Sequence, residues 1–286
     1  MIKKGLFLSS LALVLAACGT GNSDSNSSSE VVTTDGSAEQ EEIVIKVASH
    51  LPPMTDIVEI AGEVIAEPYK VDLVEVSDNI QYNEALLNDE VDANFAQHKP
   101  FMEKFNTERE GNLVALQTIY NPVVGFYSPV YDTIEELEDG AEVAIPSDVS
   151  NEARALSILD HYEVITLDPE IDNHEATVED ITENPKNLTF THIDLLNLTG
   201  AYEDGVELVF NYPTYIDSIG LKTEDAVLLE DDDDYTFALQ LIAREDNQDS
   251  AEIQALLEAF TSQEVYDYLD ELSKIGHLEP AFEPAK

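Results

Sequence analysis

From Ile43 onward the chain alternates between two periodicities, and that alternation restricts the class of fold it can adopt. Ile43, Ile45 and Val47 alternate as in a half-buried strand. Ile57, Ile60, Ala61, Val64 and Ile65 then recur at helical spacing behind Thr55 and stop at Pro68, after which Val71, Leu73 and Val76 alternate again. Strand, helix and strand in that order predict a parallel pair joined by a crossover helix, the unit of an α/β sheet. The pattern continues with a short helix near Gln81 to Leu87, a strand at Val91 to Phe95, and a helix that follows Gln97-His98-Lys99-Pro100-Phe101 and ends at Gly111. Leu113 to Ile119 and Val123 to Tyr127 are β-prone around Asn121-Pro122, and Thr133-Ile134-Glu135-Glu136 predicts a capping box. Leu188 to Ile193, Leu208 to Asn211 and Tyr235 to Ala243 predict strands; helices at about Ser250 to Phe260 and Glu264 to Ser273 close the chain. No internal repeat is visible, and 286 residues with this many elements suit two α/β lobes.

The stretch Glu142 to Leu156 places a cation at the junction of two such elements. Val143 to Ile145 is a short apolar strand that Pro146 stops. Ser147, Asp148 and Ser150 supply turn and N-cap chemistry, and Ala153, Leu156, Ser157 and Leu159 follow at helical spacing. Arg154 therefore falls in the first turns of a helix that follows a strand. In an open α/β sheet, ligands bind beyond the carboxyl ends of the strands, where free helix N–H groups favour anions. An arginine fork there matches a carboxylate. On spacing alone, a surface arginine paired with Glu152 or Asp160 fits equally well.

Charge removes several function classes. Lys plus Arg number 13 against 60 Asp plus Glu, a formal net charge of -47. A nucleic-acid footprint needs basic patches that so few scattered cations cannot build, and such a surface repels anionic membrane. Solubility in a salty medium accounts for the acidity more simply than a cationic partner does. The run Glu230 to Asp234 is taken in the same way, because it lacks the spacing and glycine of a calcium loop.

Residues 1–17 run from Lys3 and Lys4 through an apolar core to small residues, the order of a secretory signal and too short to span a membrane. Leu15-Ala16-Ala17-Cys18-Gly19 resembles a bacterial lipobox, in which the cysteine becomes the lipidated first residue; an ordinary signal with an incidental cysteine is the alternative. Cys18 is the only cysteine, so no internal disulfide can form. Residues 18–42 are almost devoid of apolar side chains and predict a disordered tether. The chain contains no Gly-x-Ser-x-Gly elbow, phosphate loop or Gly-x-Gly-x-x-Gly. His50, His98, His161, His174, His192 and His277 show no zinc-type spacing. Nothing in the sequence calls for a metal, a cofactor or catalysis, and the features together suit a binding module. On its own, His98 reads as a core or helix-capping histidine before it reads as a functional one at a strand end.

The motifs then become specific. Val74-Glu75-Val76-Ser77-Asp78, Asn83-Glu84-Ala85-Leu86, Asp92-Ala93-Asn94-Phe95, Gln97-His98-Lys99-Pro100, Ala144-Ile145-Pro146, Ser150-Asn151, Arg154-Ala155-Leu156 and Asp180 to Leu188 resemble, in the same order, the NlpA/MetQ lipoprotein family. These are substrate-binding proteins of methionine-type ABC importers, and the resemblance covers about residues 43 to 282. It implies a two-lobed periplasmic-binding-protein-like fold, each lobe a mostly parallel sheet flanked by helices, with the ligand cleft between them. The lobes would be 43–124 with 241–286, and 125–240, with crossings near Val123 to Gly125 and Leu239 to Leu241. It implies capture of methionine or a related amino acid or short peptide for a permease and its ATPase, on the extracytoplasmic face of a bacterial cell membrane. Arg154 would hold the ligand carboxylate with Asn151 beside it, while His98 and Phe101 line the side-chain pocket.

Three positions depart from the family pattern. Asn79 stands where a tyrosine is usual, Ala96 where a phenylalanine is, and Thr214, next to the pocket residue Tyr215, where a ligand-binding asparagine is. The departures predict a wider, wetter pocket and weaker methionine binding. Rival readings are a secreted two-lobed hydrolase, which needs a nucleophile or metal near a base, and a lipoprotein adhesin with a vestigial cleft. The anchor is separable from the cleft: Cys18→Ala should move the protein from the membrane fraction to the medium with ligand binding unchanged, and retention at the membrane counts against the lipobox.

Overall fold

The computed structural model describes residues 41–172, 174–231 and 235–284; the leader, Cys18 and the tether to residue 40 lie outside the described residues. Two sheets organise the chain. The first takes β1 (Ile43–Ser49), β2 (Tyr69–Glu75), β3 (Ala93–His98) and β4 (Leu113–Pro122), interleaved with α1 (Met54–Val64), α2 (Gln81–Leu87) and α3 (Lys99–Arg109). The second takes β5 (Gly125–Tyr127) and β6 (Glu142–Pro146), followed by α4 (Val149–His161). The small pair β7 (Thr166–Leu167) and β8 (Ile181–Glu183) intervenes before β9 (Thr189–Ile193) and α5 (Leu198–Glu203). Then come β10 (Leu208–Asn211), α6 (Pro213–Ile216) and β11 (Leu228–Leu229). The chain returns to the first sheet with β12 (Leu239–Arg244), α7 (Ala251–Phe260), α8 (Gln263–Ser273) and β13 (Leu278–Pro280).

The first sheet has the order β13-β4-β12-β3-β1-β2 and the second β11-β5-β10-β6-β9. Parallel pairing is confined to β2-β1-β3 and β9-β6-β10, the strands linked through crossover helices. The strands that enter or leave a sheet on passing between lobes, β4, β5, β11 and β12, pair antiparallel because they arrive from the opposite end. Strand alternation distributes the first lobe's core over both faces. Ile45, Val47, Ala93 and Phe95 meet α1, α7 and α8, whereas Ala48 and Ala96 meet α2 and α3. Phe95 packs edge-on to Tyr120 and Phe260, with centroids 6.0 and 5.2 Å away. The second lobe closes its own core around Phe126 and Phe210.

Local differences from the sequence patterns have physical causes. The strand expected over Tyr235 to Ala243 begins only at Leu239, after a turn in which Tyr235 takes a positive φ of 60°. The strand from Leu113 continues through Asn121-Pro122, which the sheet tolerates because Pro122 lies opposite Leu278 between bonded pairs, where no N–H is needed. Thr133 does not cap the helical turn after it; Glu136 instead accepts the Asp132 N–H at 3.0 Å. At the first passage between lobes, Gly125 is required by closeness, since a Cβ there would overlap the Leu228 carbonyl oxygen. Among the described residues no helix is long and apolar enough to cross a membrane.

Candidate functional site

The two lobes meet where carboxyl ends of parallel strands face one another, with β1 and β3 on one side and β6 on the other. Local chemistry sets the site residues at those ends. His98 ends β3 in an extended conformation, and its Nδ1 accepts the Phe101 N–H at 3.2 Å, capping α3 with Pro100 in the first turn. Accepting at Nδ1 places the proton of the neutral ring on Nε2, which donates to Asn151 Oδ1 at 3.1 Å across the cleft. On the far side Asp148 caps α4, accepting from the Asn151 backbone at 3.0 Å and from its Nδ2 at 2.9 and 3.0 Å. The two caps thus present His98 and Asn151 to each other.

Seven of the eight predicted pocket residues, Asn79, Ala96, His98, Phe101, Asn151, Thr214 and Tyr215, come together around one small chamber. Around Asn79 and Ala96, where the departures predict a wider pocket, the chamber is narrow. Tyr82, Tyr120, Tyr212 and Tyr215 converge on the same space, and Tyr82 Oη donates to Asn79 Oδ1 at 3.1 Å. A cavity of about 20 Å³ remains, room for about one water. Beyond Asn79 and Phe101, which belong to both, lies a groove of about 400 Å³ between the lobes, bordered by Ile80, Lys104, Phe105 and Asp194. The family-like motifs also explain a buried amide cluster beneath the chamber. Asn83 Nδ2 donates to Gln97 Oε1 at 2.8 Å, Asn94 Nδ2 to Asn83 Oδ1 at 2.9 Å, and Gln97 Nε2 to Asn94 Oδ1 at 2.9 Å.

Arg154 is the eighth, and it stands behind the chamber wall instead of on it. It is 1% exposed, and neither Glu152 nor Asp160 is its partner. Glu152 faces His192 and the Val178 N–H, and Asp160 accepts the Leu167 N–H. Glu230 takes the guanidinium in bidentate fashion, at 2.6 Å for Nε and closely at Nη2. Nη2 also donates to the Pro122 carbonyl at 3.0 Å, Nη1 to the Tyr212 hydroxyl at 3.2 Å, and Phe237 covers the face at 4.6 Å. Glu230 was read in the sequence as one solvated charge in an acidic run; its side chain is 11% exposed and compensates the buried cation. Tyr212 then donates to Asn151 Oδ1 at 3.2 Å, so a hydrogen-bonded chain runs Arg154, Tyr212, Asn151, His98 from one lobe to the other.

Electrostatically the chamber is neutral. Burial, reinforced by the nearby Arg154 charge, lowers the His98 pKa to about 3, and burial lowers that of His50 to about 4. Burial pushes Tyr212 up to about 12 and raises Asp148, whose hydrogen bonds from Asn151 and Ser150 work in the opposite direction. Burial opposes the Arg154 charge, but Glu230 and Tyr212 outweigh it and hold the guanidinium above its ordinary range. Sequence reasoning missed Tyr82, Tyr120, Tyr212 and Glu230. A tyrosine on a helical or strand pattern carries no mark of which cavity it fills.

Comparisons with known proteins fit this geometry. Residues 45–282 match the NlpA lipoprotein family. The methionine-binding lipoprotein MetQ of Bacillus subtilis is 31% identical over 277 residues, which span 93% of this chain and 95% of that protein. A crystal structure of a YaeC-family lipoprotein from Enterococcus faecalis is similar with a TM-score of 0.72 at 47% identity, covering 84% of this chain and all of that one. A nutrient-binding protein from Burkholderia cenocepacia, solved bound to methionine, gives 0.78 at 30% identity over 83% of this chain and 100% of that one.

Two expectations follow from the charges. Glu230→Gln leaves the buried guanidinium uncompensated and should cost about 3–5 kcal/mol in denaturant unfolding. Replacing both partners with apolar residues, Arg154→Met with Glu230→Leu, should recover much of that loss; a cost below about 1 kcal/mol for the single change would mark the pair as an exposed one. The histidines predict a pH slope. Their folded pKa values lie below the unfolded 6.5, so between about 4 and 6.5 the unfolded chain binds more protons and stability falls as pH falls. Each should contribute on the order of 2 kcal/mol of loss at pH 5 relative to pH 7. Melting curves of His98→Gln should show a shallower slope than the unsubstituted protein over that window.

Proposed function

The chain belongs to the NlpA lipoprotein family, and from that premise we propose that it captures methionine or a related amino acid outside the cell and delivers it to an ABC permease. The observation that carries the reading is the chamber itself. It is built from both lobes at the carboxyl ends of their parallel strands and closed by the hydrogen bond between His98 and Asn151. Its walls supply what an amino acid needs: neutral donors and acceptors at Asn79, His98, Asn151 and Thr214, and aromatic faces at Tyr82, Phe101, Tyr120 and Tyr215. Sulfur–aromatic contacts are worth about 0.3–1.5 kcal/mol each, so these tyrosines offset what Asn79 and Ala96 withhold. In this reading Arg154 gives the carboxylate end its positive charge through the Nη1 edge, where Tyr212 stands.

Binding rather than catalysis is supported by how the side chains are used. Both nitrogens of His98 are committed, one to a helix cap and one to an amide, so no base is paired with a nucleophile there. The lobe division at 43–124 with 241–286 against 125–240 is supported by the sheets. They exchange between Pro122 and Gly125 and between Leu229 and Leu239, with β12 already in the first sheet. Anchoring through Cys18 on the extracytoplasmic face, with a permease and its ATPase as partners, completes the proposal.

Titration calorimetry of the mature protein against L-methionine, D-methionine and the other amino acids tests it. Binding of at least one is expected, and Asn151→Ala should weaken it by roughly 1–3 kcal/mol by leaving His98 Nε2–H and the Tyr212 hydroxyl without their acceptor. Absence of binding across the panel would overturn the proposal.

A further inference from the structure

The open space of the cleft lies beside the chamber and not in it. The chamber holds about 20 Å³ and the adjoining groove about 400 Å³, the latter within the range of about 300–1,000 Å³ that small-molecule pockets occupy. The two are continuous through Asn79 and Phe101, which line both. Past them the groove runs between α3 of the first lobe and the start of α4 in the second. Its apolar walls are Ile80, Phe101, Phe105 and Val149, and Ile80 is left 41% exposed.

The polar groups at the junction and along the groove are of definite kinds. Asn79 is 7% exposed and accepts the Tyr82 hydroxyl at Oδ1, while its Nδ2 has no partner among the described residues. A secluded amide donor without an acceptor is costly unless a bound group completes it, and this one stands where chamber and groove meet. The cations bordering the groove have partners of their own: Lys104 lies 3.4 Å from Glu108, and Arg109 3.4 Å from Glu84. Asp148 is engaged by Ser150 and Asn151. Asp78 and Asp194 remain, one from each lobe. Each accepts backbone N–H groups at Oδ1, from Ile80 and Gln81 and from Leu196 respectively, and has an Oδ2 without a partner among the described residues.

Outward from Arg154, the cleft therefore offers a positive edge, an aromatic chamber, an amide donor, an apolar groove and two carboxylates. A dipeptide carries the complementary groups in the same order: carboxylate, side chain, peptide carbonyl, second side chain and ammonium. We propose that the groove is a second subsite and that the ligand is a dipeptide. Its carboxyl-terminal residue occupies the chamber, its peptide carbonyl accepts from Asn79 Nδ2, and its amino-terminal residue lies against Ile80, Phe105 and Val149 with the ammonium toward Asp78 and Asp194. This rests on the reading of the chamber as an amino-acid site and keeps the carboxylate at the Arg154 edge. A single amino acid with a long cationic side chain would reach the same carboxylates but leave the apolar walls uncovered.

Calorimetry of the mature protein against L-methionine, L-leucyl-L-methionine, the N-acetyl form of that dipeptide and L-lysine tests the inference. The dipeptide should bind about tenfold more tightly than methionine, and acetylation should cost it about fivefold, the scale expected where the carboxylates are exposed. Asp78→Asn with Asp194→Asn keeps both Oδ1 acceptors; it should weaken the dipeptide about fivefold, leave methionine within about twofold and erase the effect of acetylation. Asn79→Leu, close in size, should lower the ratio of dipeptide to methionine affinity about tenfold, and the ratio separates loss of the amide donor from a general loss of the chamber. Methionine binding as tightly as the dipeptide, acetylation without effect, or L-lysine matching the dipeptide would each overturn the inference and leave the functional reading standing. An unsubstituted protein that binds neither methionine nor the dipeptide sinks that reading, and this inference with it.

Discussion

The buried pair of Arg154 and Glu230 fixes the geometry on which the cleft depends. A guanidinium that is 1% exposed would be prohibitive alone, and it is compensated by a bidentate carboxylate, a backbone carbonyl and a phenol. Those partners come from separate parts of the chain. Pro122 lies where the chain leaves the first sheet, Glu230 and Phe237 where it returns, and Tyr212 at the end of β10. One side chain on α4 therefore ties both connections between lobes to the helix whose first turn carries Asn151. Burial of the guanidinium strengthens the Coulomb term, which falls away if Glu230 is displaced. The placement of Tyr212 and Asn151 follows from that charge being satisfied.

Against this ionic anchor, the contacts that close the cleft are neutral. His98 with Asn151 and His50 with Tyr215 join uncharged groups, because burial keeps both imidazoles unprotonated. A neutral hydrogen bond contributes a net ~0.5–1.5 kcal/mol, so two of them hold the lobes together without locking them. An ion pair spanning the cleft would resist opening and impose a desolvation cost on each closure. The charge pair lies at the crossings between lobes and the neutral contacts at the chamber, an arrangement that fits the proposed binding role. Among the described residues no acidic side chain lines the chamber, although the chain's formal net charge is -47.

How much of this the sequence disclosed depends on the range of the interaction. The strand, helix and strand at Ile43 to Val76, the cap at Asp148 and the helix carrying Arg154 are local, and the order of residues specifies them. His98, Phe101 and Asn151 were legible through motifs because their placement is set by caps within three residues. Glu230 was not, since its partner lies 76 positions away and the run it belongs to reads as solvated charge. The crowding around Asn79 and Ala96 escaped the sequence for the same reason. Asn79 and Ala96 are visible as small side chains, but the volume they release is taken by Tyr82 from α2 and by Tyr212 and Tyr215 from the other lobe. Volume complementarity is a property of the packed interior, where a gap in one element is filled from another.

That refilling changes what selects a ligand. In the closed arrangement Asn151 Oδ1 already accepts from His98 and Tyr212, and Arg154 is already saturated. A solute that replaces these bonds with its own exchanges like for like, and the net gain from such an exchange is small. Selectivity must then come from two sources that the protein does not satisfy by itself. One is the apolar contact the tyrosine faces make with a side chain of matching width, which a broader side chain forfeits by holding the lobes apart. The other is polar matching to the neutral lining, which penalises a ligand that buries an apolar group against Asn79 or Thr214.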